Sequence, residues 1–542
     1  MKQHMWKAGL IVALVIGVAG SAAFAAAAAP APTKEPAPAA STAPAPGTTP
    51  APAKEAAPAP AAAKPAAPAA PAHKELFWPE LWQTFHDPAP WLHMGLDQRL
   101  RIEAGENWQT LSDGATDPAD PRWMYERYRT RWSTKWSLSD NVSFNTRLVW
   151  EFRTWQDPKL KPQYANTLIP SEHVTQFNAD EALFDWFNVN WRNIGGQPLT
   201  ATIGRQDIMF GVGWLVLDAS PLDGSRTVGL FDAIRLTYDW ANVNTKVDVV
   251  YANNAPESDR WLKPINDQDR GLMEDKEQAG ILYLTNTSFK PVQLEGFFIY
   301  KQDRPLDHIV GNFPYIWSES GETYTFGAAV SGLHAEHWKY RAEGAVQTGN
   351  KAGDRPRGGD PRAVSNLGSS EDVLAFGTLD TLEYQFKDPH DNATHFTYEY
   401  ASGDDPDTNR DERFDLLWGR WPRWSELLIY TWANETRVAD TTNLHRFNVG
   451  HRIQLNKQWQ LTGDYHALFA DENSGAMIPS RIKLSTSDKF RGHLLTSWLR
   501  YKFTDQLYGH FLAEYFINPG DYYVAPSDNN AYFLRVNFEY VF

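Results

Sequence analysis

The segment Tyr128-Arg129-Thr130-Arg131-Trp132-Ser133-Thr134-Lys135-Trp136 decides the fold class of this chain. Its even positions carry Tyr, Thr or Trp and its odd positions carry Arg, Ser or Lys, so the hydrophobic period is two. Because successive side chains of a β-strand point to opposite faces, this period predicts a strand with one aromatic face and one charged face. The same alternation recurs within 142–155, 336–348 and 531–542.

Further segments of this kind run through the chain from residue 96 to its last residue. Each has about 9 to 14 residues, the length that a tilted strand needs to cross a bilayer. Short connections such as 138–141 alternate with long polar ones such as 403–442, as in outer-membrane barrels, whose short side is periplasmic. The sequence therefore predicts an all-β fold, a transmembrane antiparallel β-barrel of about 18 strands. The strands are expected at 96–107, 124–137, 142–155, 181–192, 198–207, 228–239, 243–253, 278–288, 292–301, 321–332, 336–348, 372–386, 393–402, 443–455, 458–470, 490–503, 507–517 and 531–542.

Composition narrows the function classes. The chain of 542 residues has a formal charge of −15 and no cysteine, but 23 Trp, 22 Tyr and 28 Phe. Without cysteine there is no disulfide framework, thiolate metal site or cysteine nucleophile. The acidic balance argues against a nucleic-acid partner, which needs a basic surface. A mean hydropathy of −0.50 excludes a bundle of membrane-spanning helices, and the aromatic excess is the coat expected of a barrel facing lipid.

One apolar segment does not fit the strand count. Residues 424–433 resemble a strand, but a nineteenth strand would put the two termini on opposite sides of the membrane, whereas both are periplasmic in single-chain barrels. We therefore expect a short helix here, packed at the mouth of the barrel within the long loop 403–442. The chain ends on Phe542, and this terminal aromatic is similar to the assembly signal of many outer-membrane barrels.

The amino-terminal part divides into two regions before the barrel of residues 76–542. Residues 1–25 combine a basic start, an apolar run and the small-residue site Ala23-Phe24-Ala25, the pattern of a secretory signal peptide. The alternative is an uncleaved anchor helix over residues 8–29. Residues 26–75 are almost wholly Ala and Pro and predict a disordered, extended linker in the periplasm. The linker is either passive or reaches the cell wall or a partner.

Basic residues recur on the strand face opposite the aromatic coat. Rings of Arg and Lys select anions in pores because guanidinium groups bind carboxylates while several weak sites still release the ligand. The alternative is that the arginines brace the wall by pairing with acids such as Glu103, Glu151 and Glu399. Arg205 shares the parity of lipid-facing residues, so either a bulge at Gly204 resets the register or it lies at the rim. The candidate substrate-binding residues are Arg127, Arg129, Arg131, Lys135, Arg147, Arg153, Arg205, Arg235, Arg341, Arg446 and Arg452.

Two stretches carry a family resemblance. Residues 203–208, Ile-Gly-Arg-Gln-Asp-Ile, lead to Gly213-Trp214 and then to Phe231-Asp232-Ala233-Ile234-Arg235-Leu236; residues 400–405 read Tyr-Ala-Ser-Gly-Asp-Asp. Both resemble the alginate export family of outer-membrane barrels. The resemblance implies a monomeric eighteen-stranded porin with an arginine-rich constriction that passes an anionic polyuronate outward.

These observations lead to one main hypothesis and two alternatives. The main one is an outer-membrane porin of a Gram-negative cell that exports an anionic exopolysaccharide, an alginate-like polyuronate, with long loops 208–227 and 403–442 gating its ends. Its partners would be the polysaccharide, outer-membrane lipid and periplasmic secretion components or cell wall. The second is an uptake porin for small anions or sugar acids in the same fold. The third makes the barrel an anchor to the cell wall through residues 26–75.

Catalytic and metal sites have little support in the sequence. Metalloprotease, nucleophile-elbow and phosphate-loop motifs are missing from it, so no enzyme and no cofactor is predicted. Asp405, Asp407, Asn409 and Asp411 have the spacing of the start of a calcium loop, but the sixth-position glycine and the twelfth-position glutamate are missing, since Leu416 stands at the latter. Of the two interpretations of this segment, a solvated acidic loop is favoured over a calcium site.

Overall fold

A computed structural model describes residues 84–113, 121–157, 177–217, 231–255, 261–263, 265, 276–304, 320–352, 370–435, 441–473 and 482–542. Within these ranges it contains nineteen strands, the α-helix α1 (Glu426–Glu435) and a helical turn at residues 84–86. The strands are β1 (Leu92–Glu106), β2 (Arg122–Ser137), β3 (Val142–Asp157), β4 (Phe177–Trp191), β5 (Leu199–Gln206), β6 (Phe231–Trp240), β7 (Thr245–Asn254), β8 (Lys276–Asn286), β9 (Val292–Arg304), β10 (Gly321–His334), β11 (Trp338–Ala352), β12 (Ser370–Gln385), β13 (Ala393–Ala401), β14 (Arg410–Asp411), β15 (Leu444–Gln454), β16 (Trp459–Phe469), β17 (Phe490–Lys502), β18 (Leu507–Ile517) and β19 (Ala531–Val541).

Eighteen of these strands form a closed antiparallel barrel, as predicted. Each wall strand pairs with its neighbours in the chain, and β1 pairs with β19, so that Asp97 lies opposite Val541. The exception is β14, a two-residue strand that runs parallel to β12 while β13 pairs directly with β15. Closure satisfies the backbone groups of the first and last strands, which would otherwise be open edges.

The two faces of the wall differ as the alternation in β2 predicts. Trp132 and Trp136 point outward and are 43% and 36% exposed, whereas Arg127 and Arg129 point into the lumen and are 4% and 2% exposed. Other outward-facing residues are also large and apolar, including Leu282, Phe396 and Phe511. Part of the aromatic excess of the composition thus covers the outside of the barrel, while another part, including Trp123, Trp155 and Trp432, is buried inside it.

Two segments between wall strands fold into the lumen. The first inward segment, residues 207–217, buries Trp214, Leu215 and Val216 against inward-facing side chains of β6 to β9. The second inward segment, residues 402–435, contains α1, whose Leu428 and Trp432 are fully buried among aromatic and aliphatic residues of β2, β3 and β15 to β19. The predicted helix at 424–433 exists, but it lies inside the barrel because its apolar residues are covered by the inner wall and not by the mouth.

Both ends of the described chain lie on the short-turn side of the barrel. Leu92 pairs with Trp136 next to the turn at residues 138–141, and Phe542 bonds to Leu96. Short 3-10 turns at Ile194–Gly196 and Ala241–Val243 connect strands on the same side. Among the described residues, no helix has the length and apolar character needed to cross a membrane. The predicted signal peptide, residues 1–25, and linker, residues 26–75, lie outside the described residues.

Candidate functional site

Four arginines on β1 and β2 form a buried row that braces the inner wall. Arg127 donates from Nε to Glu151 at 2.7 Å, and Arg129 donates from Nη2 to Asp97 at 3.0 Å and to Glu539 at 3.1 Å. The other two, Arg99 and Arg101, bond Glu151 and Asn537 respectively. A buried guanidinium needs such partners because desolvation of an isolated charge is costly. This part of the candidate set therefore matches the bracing alternative.

A second group of arginines keeps part of the guanidinium open to the lumen while its carboxylate partner is hidden. The side chain of Arg131 is 14% exposed and lies 3.8 Å from Asp185, which is 0% exposed. The side chain of Arg147 is 11% exposed and bonds the same carboxylate at 2.8 Å, but it also bonds Asp207 at 3.1 Å, which is 36% exposed. Arg235 is 21% exposed beside Asp248, which is 2% exposed. At Arg131 and Arg235 the arginine side chain is thus more exposed to the lumen than the carboxylate beside it, whereas at Arg147 the second partner, Asp207, is the more exposed group.

Arg341 repeats this geometry on β11. Its side chain is 12% exposed, and it bonds Glu295 at 2.6 Å and Glu343 at 2.7 Å, both nearly buried. The tip of the first inward segment touches this cluster, since a Cβ on Gly211 would lie 2.6 Å from Arg341 Nη2. The exposed face of this arginine is therefore bounded by the first inward segment.

The remaining candidates are held in different ways. Arg446 bonds Glu399 at 2.8 Å and lies over the ring of Trp424. Arg153 is 4.0 Å from Glu151, and Arg452 is 3.5 Å from Asp391. Lys135 is exposed and has no carboxylate within 4.0 Å among the residues that the structure describes.

Arg205 belongs to the outer face at the end of β5. The pairing of β5 with β4 and β6 shows no register shift, although Gly204 adopts φ of +117°. Arg205 shares the parity of exposed Ile203, bonds Asp232 at 2.9 Å and lies under the ring of Trp261. Of the two explanations that the sequence left open, the structure therefore matches the rim position and not a register reset.

A further charged cluster was missed from the sequence. Lys301 on β9 lies 3.1 Å from Asp303 and 3.6 Å from Glu277, and Glu277 also accepts a hydrogen bond from Arg420 at 3.0 Å. Trp418 donates to the same glutamate at 2.8 Å. This cluster fastens the second inward segment to the wall. Its only signal in the sequence is the group of apolar residues Phe414, Leu416, Leu417 and Trp418, which stand beside Asp415 and Arg420 in an otherwise polar loop.

Helix α1 is bonded to the barrel wall at its amino-terminal end. Glu514 on β18 accepts hydrogen bonds from Ser425 Oγ at 2.6 Å and from the backbone N–H groups of Glu426 and Leu427 at 2.9 Å each. The first N–H groups of a helix lack intrahelical acceptors, and a carboxylate there also faces the positive end of the helix dipole. Arg535 on β19 pairs with Glu426 at 2.7 Å.

The carboxyl-terminal end of α1 is also fastened. Glu435 pairs with Arg491 on β17 and accepts hydrogen bonds from the hydroxyl groups of Tyr522 at 3.0 Å and Tyr523 at 2.7 Å. Burial and the neighbouring Glu435 carboxylate raise the pKa of the Tyr523 hydroxyl, which therefore remains a donor at neutral pH. The helix is thus fixed at both ends by buried charged groups.

The two inward segments touch each other above an open cavity. The backbone N–H groups of Trp418 and Gly419 donate to Leu215 O at 3.1 and 3.2 Å, and Arg423 donates to Val212 O. On the short-turn side of this contact lies a cavity of about 940 Å³, which we call the chamber; Arg341, Arg446 and Trp498 are among its lining residues.

Asp471 lies at the rim of the barrel on the side of the long loops, and its proton affinity is altered. Burial raises the pKa of Asp471, but hydrogen bonds from His445, the Gly403 backbone and Tyr400 outweigh burial and hold that pKa below its ordinary value. The ionised form therefore ties the start of the second inward segment to the wall.

The acidic loop considered for calcium is arranged around its own side chains. Asp405 accepts a hydrogen bond from the Asp407 backbone at 3.0 Å, and Asp411 pairs with Arg413 at 3.0 Å. Within the described ranges, no group of three or more His, Asp or Glu residues is placed to hold a metal ion.

Comparison with known proteins gives a family and a fold. A family model described as "Alginate export" matches residues 90–525. Among solved structures, OccAB1 of Acinetobacter baumannii is 10% identical, with 84% of this chain and 97% of that chain covered and a TM-score of 0.50. OpdK of Pseudomonas aeruginosa, solved with vanillate, is 9% identical over 83% of this chain and 98% of that chain, with a TM-score of 0.48. At these identities the likeness concerns the fold alone. No curated protein matches the chain in sequence.

Proposed function

The chain belongs to the alginate export family of outer-membrane β-barrels, and from this premise we propose that it exports an anionic exopolysaccharide of the polyuronate type. It is an outer-membrane porin of a Gram-negative cell. The proposal concerns the cargo and the direction of transport, which the barrel fold does not specify by itself.

The observation that carries the proposal is the hidden-carboxylate geometry of the open arginines. Around Arg131, Arg235 and Arg341 the arginine side chain is 12–21% exposed while the partner Asp185, Asp248 or Glu295 is at most 3% exposed. Arg147 shares the hidden Asp185 but also pairs with Asp207, which is 36% exposed. A uronate carboxylate in the lumen thus meets cation surface first. Because each guanidinium is already paired, it binds the passing carboxylate weakly, which transport requires.

Reversal potentials in planar bilayers under a salt gradient test the proposal. We expect an anion-selective channel in which Arg131→Gln, Arg147→Gln and Arg235→Gln together lower the anion preference and weaken block by an oligouronate. Arg192→Gln is the matched control, since Arg192 is exposed at a turn on the short-turn side. Cation selectivity of the wild-type channel would refute the proposal. Unchanged block by the oligouronate in the triple variant would show that these arginines only brace the wall.

A second candidate function, uptake of small sugar acids, is favoured by the fastening of the inward segments. Buried ion pairs and hydrogen bonds hold α1 at both ends inside the lumen, so the path past it suits short solutes. Deleting the gene in a polymer-secreting strain separates the two functions. Loss of extracellular polymer favours export, and loss of growth on a sugar acid favours uptake.

A further inference from the structure

The chamber beneath the inward segments has the features of a saccharide site. Its volume of about 940 Å³ is at the upper end of the roughly 300–1,000 Å³ of ligand pockets, which suits an oligomer better than a single sugar ring. We propose that the chamber binds a short carboxylated oligosaccharide on the short-turn side of the lumen, before it reaches the inward segments. This inference rests on the proposed function for the class of cargo, but it assigns a separate site.

Aromatic rings supply the contact surface for sugar rings. Trp421, Trp424 and Trp498 line the chamber, and each keeps part of its side chain accessible. Trp421 and Trp424 come from the second inward segment, whereas Trp498 comes from β17 on the wall. The C–H groups on the face of a pyranose ring pack on such rings, and the indole N–H offers a donor to a hydroxyl group. The chamber therefore has aromatic surfaces on two different elements.

The charges in the chamber favour a carboxylated ligand over a neutral one. Its lining includes five Lys or Arg side chains against three Asp or Glu side chains. Two of the three acids have an arginine partner, since Glu399 pairs with Arg446 at 2.8 Å and Glu383 lies 3.8 Å from Arg452, and the third, Asp464, bonds His395 at 2.7 Å. Lys339, by contrast, is exposed on the lumen side of β11 and has no ion-pair partner among the described residues. An ammonium group of this kind gains from an incoming carboxylate.

The wall of the chamber also contains donors without acceptors. Arg446 Nη1 lies 3.3 Å from His466 Nδ1. Because arginine can only donate, that ring nitrogen accepts and the proton of a neutral His466 is on Nε2. Nε2 of His466 and Nε1 of Trp424 are buried in the described structure with no acceptor, and the two rings stack with centroids 5.3 Å apart. Unpaired buried donors cost stability, and a small shift of Trp424 would let ligand oxygens pair with them.

Binding of defined trisaccharides to the full-length protein in lipid nanodiscs tests the inference. The probes are a trimer of galacturonic acid and maltotriose, which has three rings but no carboxylate, and the measurement is isothermal titration calorimetry. We expect the acidic trimer to bind more tightly than maltotriose. Lys339→Gln should weaken binding of the acidic trimer roughly tenfold or more, as loss of a charged hydrogen bond does, without affecting maltotriose. Trp498→Leu should weaken both, and Trp150→Leu, on the outer face, neither.

The outcomes separate this inference from the proposed function. Unchanged binding of the acidic trimer in both chamber variants, or no binding to the wild-type protein at millimolar concentration, overturns the chamber site. If binding of the acidic trimer is lost only in the Arg147→Gln variant, the chamber site is also refuted, but an anion-selective porin remains consistent with that result. A channel without anion selectivity whose trimer binding still depends on Lys339 and Trp498 contradicts the proposed function but supports the chamber.

Discussion

Replacing Glu514 by Ala should release the amino-terminal end of α1 from the barrel wall. The carboxylate accepts three hydrogen bonds of 2.6, 2.9 and 2.9 Å from Ser425 and the first two residues of the helix. A typical hydrogen bond contributes about 0.5–1.5 kcal/mol, and a helix N-cap about 0.5–2 kcal/mol. Because the three bonds share one carboxylate, we expect their loss to cost about 3 kcal/mol in all. The population of detached helix should then rise about a hundredfold.

The absence of cysteine from the chain makes this detachment measurable. Leu428→Cys introduces a single thiol at a fully buried position of α1, and its rate of reaction with a maleimide follows the detached population when closing is faster than labelling. We expect labelling about a hundredfold faster with Glu514→Ala than without it, since about 1.4 kcal/mol corresponds to a factor of ten. The labelling rate with Glu514→Gln, which keeps an acceptor oxygen, should lie between those of the parent thiol variant and the Glu514→Ala variant. Single-channel conductance should rise from the parent through Glu514→Gln to Glu514→Ala.

The control variant is Asp248→Ala, which removes another buried lumen carboxylate whose bonds come from β6 and β7. Its labelling rate should match that of the parent thiol variant. Equal labelling in the Glu514→Ala and Asp248→Ala backgrounds would refute the claim that Glu514 fastens the helix. Fast labelling in the parent would instead show that α1 does not stay in the lumen.

Three other changes probe the same architecture. Arg491→Gln breaks the buried ion pair at the carboxyl-terminal end of α1 and should lower the free energy of unfolding by about 3–5 kcal/mol, measured by urea titration in detergent, whereas exposed Arg410→Gln should leave it unchanged. Gly419→Ala would place a Cβ 1.8 Å from Trp214 O, so it should separate the inward segments and raise conductance; an unaltered conductance would contradict this contact. Because the folded pKa of Asp471 is held below its unfolded value near 3.8, its stabilisation of the rim is complete above that pH and lost as the pH falls through the lower folded value. Cleavage of the rim by pepsin, an aspartic protease that is active at acidic pH, should increase in that range, and Asp471→Asn should abolish this increase.

The wall of the barrel could be predicted from local pattern alone. The alternation at 128–136 places aromatic residues outside and arginines inside, and each of the eighteen predicted segments corresponds to a wall strand of the structure. The family resemblance carried by residues 203–208 and 400–405 is confirmed by the match over residues 90–525. Period-two patterning works here because every wall strand separates the same two environments, lipid and lumen.

The candidate site was predicted in part. The parity of β2, β3, β6 and β11 correctly put Arg129, Arg147, Arg235 and Arg341 on the lumen side. Parity does not reveal which arginines are buried in ion pairs and which keep an open face, because that depends on cross-strand partners such as Asp185. Their role in binding cargo stays a prediction.

The position of the long loops could not be predicted from the local sequence pattern. The long loop 403–442 was expected to gate the mouth, yet its described part, including α1, packs inside the lumen on residues from distant strands. Glu514 and Ser425, which form the amino-terminal anchor of α1, are 89 positions apart in the chain. No short-range pattern encodes such a pair, since neither residue has an unusual sequence neighbourhood.

The sequence by itself determined the barrel, its strand number, the aromatic coat and the inward row of basic residues, because these follow from a period of two repeated along the chain. Only the tertiary structure decided what occupies the lumen: which carboxylates lie behind the open arginines, how α1 is fastened, and where the chamber remains. These features arise where residues far apart in the chain meet across the closed wall. They depend on closure, which joins β1 to β19 and surrounds the inward segments with wall on every side.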